Sequence, residues 1–292
     1  MDSTLAPGEQ VVDGVRLIAL AHTERAIAAL DPDFADDPDD AVHEVRKRCK
    51  KIRAMARLVR PVVRRSAYRE VNGLARDAAR ELGTFRDARA LLATFERLID
   101  DGDGDDDLAA ARQLLLADQD DAAADLSAEH PAVERSRRLL VDLRGTLDRL
   151  VSSDDGWDAI APGLVSTYDR GRQALSASID DPSGASFHEW RKRAKDTRYH
   201  LGVIVPAAPD VLIPLEATFH LLTDSLGDAH DLHVLKLRLS GTAGTDDALE
   251  HIAARRSDAE RRAVELGRQL YAESGRQFGR RLGRYWEADV RA

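Results

Sequence analysis

The sequence predicts an all-α protein arranged as two similar helical halves. Three observations carry that expectation. Apolar residues recur at three- and four-residue spacing through most of the chain, the mark of amphipathic helices. No segment alternates Val, Ile, Thr and Tyr as a strand requires. One basic stretch, HEVRKRCKKIRAMAR (43–57), returns as HEWRKRAKDTR (188–198), 145 residues later. A chain of 292 residues suffices for two medium cores, placed here at 11–152 and 155–290.

The elements follow in order. Val12, Val15, Ile18, Leu20, Ala21 and Ile27 give an apolar face to a first helix over 11–30. Pro32 and Pro38 bound an acidic linker, after which Asp39 or Asp40 can cap a basic helix from Ala41 to Arg60, stopped by Pro61. Ser66 can cap a third helix to Leu82; Gly83 and Thr84 break it, and a helical pattern resumes over 85–99. Helices over 108–126 and 132–151 complete the first half, and SSDDGW marks the boundary. The second half repeats the plan. A helix over 160–179 tolerates Pro162 in its first turn. The second basic helix, 187–205, is closed by Pro206, and a helix over 212–226 ends at Gly227. Helices over 229–238, 246–267 and 270–290 finish the chain.

The repeat extends beyond the basic helices. Arg25 aligns with Arg170, and Pro61 with Pro206, at the same offset. Leu82, Gly83 and Asp87 of ELGTFRDARALL correspond to Leu226, Gly227 and Asp231 of SLGDAHDLHVLK, at an offset of 144. Each half is expected to bury its apolar faces locally and to pack on its twin about a pseudo-twofold axis, so that both basic stripes line one groove.

On a helix of 3.6 residues per turn, His43, Arg46, Lys47, Lys50, Arg53 and Arg57 form one stripe, with Val45, Cys49, Ile52 and Met55 opposite. His188, Arg191, Lys192, Lys195 and Arg198 repeat that stripe, backed by Trp190, Ala194, Leu201 and Ile204. Like charges at i,i+4 repel, so two single-sign stripes in one phase point to a polyanion. The whole chain carries a net charge of −9, and the site must therefore be a local concentration of positive charge. Between His43 and Arg69 stand eleven Lys and Arg against Glu44 alone, while acid gathers at 31–40 and 100–107. Those acidic runs read as solvated loops; the second lacks the Glu that closes a calcium-binding EF-hand. Cys49, the only cysteine, falls on the apolar stripe and reads as a small core residue. MDSTLAPGEQ has neither the basic region nor the apolar core of a signal peptide, and no apolar run is long enough to cross a membrane. The expected location is cytoplasmic.

The spacing H-x-x-R-K-x-x-K-x-x-R, occurring twice and each time followed by an LG(x)3D segment, resembles the CHAD family, the conserved histidine α-helical domain. The resemblance spans residues 11–286. It implies two four-helix bundles related by pseudo-twofold symmetry around a basic central cavity that binds inorganic polyphosphate. Members are associated with polyphosphate granules. Some are fused to a triphosphate-tunnel (CYTH) domain with an E-x-E-x-K motif; that motif does not occur here, which implies a stand-alone CHAD protein. Two departures stand out: Asp196 where the first copy has Lys51, and Gly202 where it has Arg57. The second stripe is weaker, placing the anion nearer the first half.

The expected contacts are therefore Arg46, Lys47, Lys50, Arg53 and Arg57 with Arg191, Lys192, Lys195 and Arg198. His43 and His188 open the stripes and would protonate beside phosphate; Arg25 and Arg170 are carried by the repeat alone. Arg76, Arg80, Arg86 and Arg89 either extend the basic surface or form surface ion pairs. His220, Asp224, His230, Asp231 and His233 have metal-ligand types at helical spacing. Their first-half counterparts are Arg76, Arg80, Arg86, Asp87 and Arg89, and Arg is no metal ligand, so no metal or other cofactor is expected. Glu44 and Glu189 lie about 100° off the stripe, and no Walker loop, paired carboxylates or nucleophile constellation accompanies them. The reading is a non-enzymatic polyphosphate binder, with nucleic-acid binding in the same groove, a metal-dependent phosphohydrolase and a scaffold for an acidic protein as alternatives. The acidic total charge and 5% aromatic content count against nucleic acid. A homodimer and granule proteins remain open as partners.

Overall fold

Helical periodicity carries through to the architecture. The computed structural model describes residues 4–5, 9–31, 37–100, 108–125 and 130–290, leaving out the side chains of 84–88, 100, 121–125 and 289–290. Eleven α-helices and two short 3-10 turns, and no strand, occur among the described residues. They are α1 (Val11–Ala28), α2 (Pro38–Val59), α3 (Arg65–Glu81), α4 (Gly83–Asp100), α5 (Ala109–Asp125) and α6 (Pro131–Thr146), then α7 (Gly156–Asp180), α8 (Gly184–Ile204), α9 (Pro209–Leu239), α10 (Asp246–Leu270) and α11 (Gly275–Val290).

Helix starts depart from the sequence expectation for local reasons. Asp37, not Asp39 or Asp40, caps α2: its carboxylate accepts from the Asp40 N–H at 3.1 Å, and Pro38 takes the first turn, where its missing N–H costs nothing. Helix α3 starts at Arg65 without a side-chain cap, so Ser66 lies inside the first turn. Helix α7 begins at Gly156, and Pro162 falls inside the helix rather than in its first turn. Helix α8 begins three residues early because Ser183 and Ser186 form a reciprocal capping box. Helix α6 stops at Thr146 and passes into a 3-10 turn, and α11 starts at Gly275 instead of 270.

One correction is larger. Gly227 does not end a helix: α9 runs unbroken from Pro209 to Leu239. Leu222, Leu226, Ala229 and Leu232 continue one buried face across Gly227. Their burial outweighs the roughly 1 kcal/mol that a glycine costs inside a helix. At the equivalent place in the first half the chain does break, between Leu82 and Gly83.

The core is not local to each half. One buried cluster joins Ile52, Met55 and Leu58 of α2 to Tyr168 of α7, Trp190 and Leu201 of α8 and Phe278 of α11. A second joins Phe95 of α4 and Leu115 of α5 to Leu235 of α9 and Ile252 of α10. The basic helices are themselves tied together. His200 Nε2 of α8 donates to the Ala54 carbonyl of α2 at 2.8 Å, and Gly163 of α7 lies so close to α2 that a Cβ there would sit 1.8 Å from the Leu58 oxygen. Cys49 is fully buried on the apolar stripe, and burial pushes its thiol up to about 12.

Candidate functional site

The apolar faces of α2 and α8 enter the core, which turns their basic faces to a common side. There they line a cavity of about 530 Å³. Helix α2 supplies Arg46, Lys50, Arg53 and Arg57. Helix α8 supplies His188, Arg191, Lys192, Arg193, Lys195, Asp196 and Tyr199. Helices α4 and α9 complete the wall with Ala90, Leu91 and Thr94, and with His230, Asp231 and Val234.

The side chains are held by short, local devices. Arg46 Nη1 donates to the Ala79 carbonyl of α3 at 3.2 Å. It passes over Gly83, where a Cβ would stand 3.4 Å away; Arg191 passes over Gly227 likewise, at 3.2 Å. The repeated LG glycines thus leave room for the stripe arginines, and Asp231 of the same motif lies 3.8 Å from Arg191. Arg53 donates to the neutral side chain of Asn72 at 3.2 Å and keeps its charge unneutralised there; burial and the neighbouring Arg57 hold its guanidinium below the usual arginine range. Lys51, off the stripe, sits over the Tyr199 ring, its pKa lowered by burial and by Arg48 and Lys47.

Asp196, which the sequence marks as a weak point, has a structural task. It is buried, accepts from Arg57 Nη1 of the other basic helix at 2.9 Å and lies 3.7 Å from Arg193. Burial raises its carboxyl pKa while Arg57 and Arg193 pull the other way. The pair joins α2 to α8 at the cavity floor. His188 and His230 lie ring against ring, with centroids 4.4 Å apart. Burial, Lys192 and Arg191 push His188 down; burial, His188 and Arg191 push His230 down to about 4. Both shifts favour the neutral imidazole.

Of the expected stripe residues, Arg46, Lys50, Arg53, Arg57, His188, Arg191, Lys192 and Lys195 come together in this cavity. The others do not line it. Exposed His43 faces an adjoining hollow of about 240 Å³ beside Arg89 and Arg97. Lys47 is exposed and pairs with Glu44 at 2.9 Å. Arg198 donates to Glu216 at 2.7 Å. Arg25 and Arg170 lie on exposed faces of α1 and α7. Arg76 and Arg89 are held in ion pairs with Asp77 and with Asp37 and Asp39. The side chains of Arg86 and Asp87, and the acidic run 101–107, lie outside the described residues. The His/Asp set of α9 is dispersed: His220 pairs with Asp224 at 2.7 Å, His233 lies beside Arg256, and only His230 and Asp231 face the cavity.

Sequence reasoning missed Arg193, Tyr199 and Thr94. Arg193 is one residue off the stripe and pairs with Glu189 just as its counterpart Arg48 pairs with Glu44; nothing in the spacing says that Arg193 lines the cavity and Arg48 does not. Of the LG(x)3D repeat, Asp231 lines the cavity, and Gly83 and Gly227 lie against the stripe arginines Arg46 and Arg191.

A family model for the CHAD domain matches residues 18–240. The chain belongs to the CHAD family. Every cavity-lining residue lies within the matched span, and α10 and α11 lie beyond it. A crystal structure of the CHAD domain from the plant Ricinus communis superposes with a TM-score of 0.60, covering 93% of each chain at 19% identity. At that identity the likeness is one of fold, and it makes this all-helical arrangement a CHAD fold. No curated protein matches the sequence. Among the described residues, no helix of this CHAD protein is long and apolar enough to cross a membrane.

Proposed function

We propose that this CHAD protein binds inorganic polyphosphate in the cavity between its two basic helices and does not turn it over. One observation carries the reading: eight Lys and Arg line a single cavity of about 530 Å³ in a chain whose net charge is −9. Two carboxylates share the lining, and both are engaged, Asp196 by Arg57 and Arg193 and Asp231 by Arg191. The remaining cations have room for a linear anion. Arg offers a planar fork that grips two phosphate oxygens and Lys a point charge. The rise of about 5.4 Å per helical turn lets successive turns address successive phosphoryl groups. The equivalent placement of Arg46 with Arg191 and Lys50 with Lys195 supports a duplicated pair of helical bundles sharing one basic groove. Association with polyphosphate granules belongs to the same reading.

Isothermal calorimetry with a medium-length polyphosphate tests it. Binding at about 150 mM salt should weaken steeply by about 500 mM, as counterion release demands, and no phosphate should be released with Mg²⁺ or Mn²⁺. Replacing Arg46, Lys50, Arg191 and Lys195 together by Ala should reduce affinity by at least about a hundredfold while leaving the helical circular-dichroism spectrum unchanged. Retained affinity would refute the site. Equal affinity for single-stranded RNA would make the cavity a general polyanion groove, and phosphate release would make the protein a hydrolase.

A further inference from the structure

The cavity shares a wall residue of α4 with two neighbouring spaces. Thr94 lines it, and Thr94 also lines both the hollow beside His43 and a third space of about 360 Å³ between α4, α9 and α10. That third cleft presents Arg97 of α4 with Arg255 and Arg262 of α10. All three are exposed. Arg97 approaches Asp228 at 3.6 Å and Arg262 approaches Glu265 at 3.5 Å, and both pairs are more than half open to water. Exposed pairs of this kind are held only weakly in water, so their guanidinium groups can exchange partners. Two carboxylates, Asp228 and Asp258, also face the cleft, the latter in an equally open pair with Arg261 at 2.8 Å, so three cations stand against two carboxylates. The alternative way out, past His43, is less favourable for an anion: Arg89 there is tied to Asp37 and Asp39, and Asp40 and Asp231 add negative charge.

We propose that Arg97, Arg255 and Arg262 form a second anion subsite, continuous with the cavity across Thr94, that takes the length of a polyphosphate chain the cavity cannot hold. The subsite confers a preference for long chains. It rests on the polyphosphate reading of the cavity, and the test separates the two.

Wild-type protein and a variant carrying Arg97→Gln, Arg255→Gln and Arg262→Gln are titrated with tripolyphosphate and with long-chain polyphosphate. Tripolyphosphate fits within the cavity, so its affinity should stay within about twofold, while long-chain affinity falls about tenfold. The log–log salt slope for the long chain should flatten by about two, three contacts at roughly 0.7 each. The matching triple Lys variant keeps the charges and should recover most of the loss. Unchanged long-chain affinity and slope in the Gln variant would overturn the subsite while leaving the cavity reading intact. An equal loss for both ligands would overturn it too, because the arginines would then act on the cavity itself. If the wild type binds neither ligand, the cavity reading falls and the subsite with it.

Discussion

Helices α2 and α8 begin from nearly the same motif and use it differently. Arg53 of α2 lines the cavity and is held by neutral Asn72; its counterpart Arg198 is neutralised by Glu216 and lies outside the lining. Lys51 has Asp196 as counterpart, and Arg57 reaches across to that same Asp196. Where α2 has Arg57, α8 has Gly202. Both helices thus spend part of their rows on the fold: α2 gives Arg57 to the cross-helix pair with Asp196, and α8 gives Arg198 to Glu216 of α9. Repetition of a motif guarantees the helix and its phase; the neighbour of each side chain decides whether a cation serves a ligand or the fold.

That contrast can be broken most severely at the cross-helix pair. Arg57→Ala leaves Asp196 buried with Arg193 as its remaining cation, and should lower the free energy of unfolding by about 3 kcal/mol in a denaturant titration. A loss below about 1 kcal/mol would mean that the pair adds nothing to the fold. The histidines give the next largest effect, and it comes from the second half alone. Burial and the neighbouring cations favour the neutral form of His188 and His230, the latter lowered to about 4. A bound anion would raise both pKa values, so binding would take up protons. Affinity for a long polyphosphate should be flat above about pH 7 and should tighten as pH falls below that. Replacing both by Gln should flatten the whole profile; a rise that survives the replacement would assign the proton uptake elsewhere.

Smaller effects sharpen the comparison. If Glu216 keeps Arg198 from contributing, Glu216→Gln should raise polyphosphate affinity about twofold to threefold; unchanged calorimetry would leave Arg198 a purely structural residue. Gly202 lies inside α8 with nothing within 4 Å of where a Cβ would stand. Gly202→Ala should therefore stabilise the protein by about 0.5–1 kcal/mol, read as a higher denaturation midpoint, without changing binding.

Much of this was legible in the residues. Apolar spacing located the helices, and the two basic stripes located the cavity, because a helix has one face to bury and must turn the other outward. The uninterrupted α9 was not legible. Gly227 and Gly83 look alike in sequence, and at Gly227 a buried face runs on through Leu226, Ala229 and Leu232. Nor could spacing tell Arg53 from Arg198, since their partners Asn72 and Glu216 stand on other helices. The crossing of the core between halves was equally hidden: Phe95 and Leu235 are ordinary apolar positions until the chain is folded.

That crossed core sets the gauge of the cavity. The walls from α4 and α9 are fastened from behind by Phe95, Leu115, Leu235 and Ile252, packed without exposure to water. Close-packed interiors do not stretch, so opening or narrowing the slot would mean parting that cluster. A flexible anion of the proposed kind would do the conforming instead. The ordering cost of such an association would then fall on the anion rather than on the protein, and the protein would act as a rigid comb through which a soft thread is drawn straight.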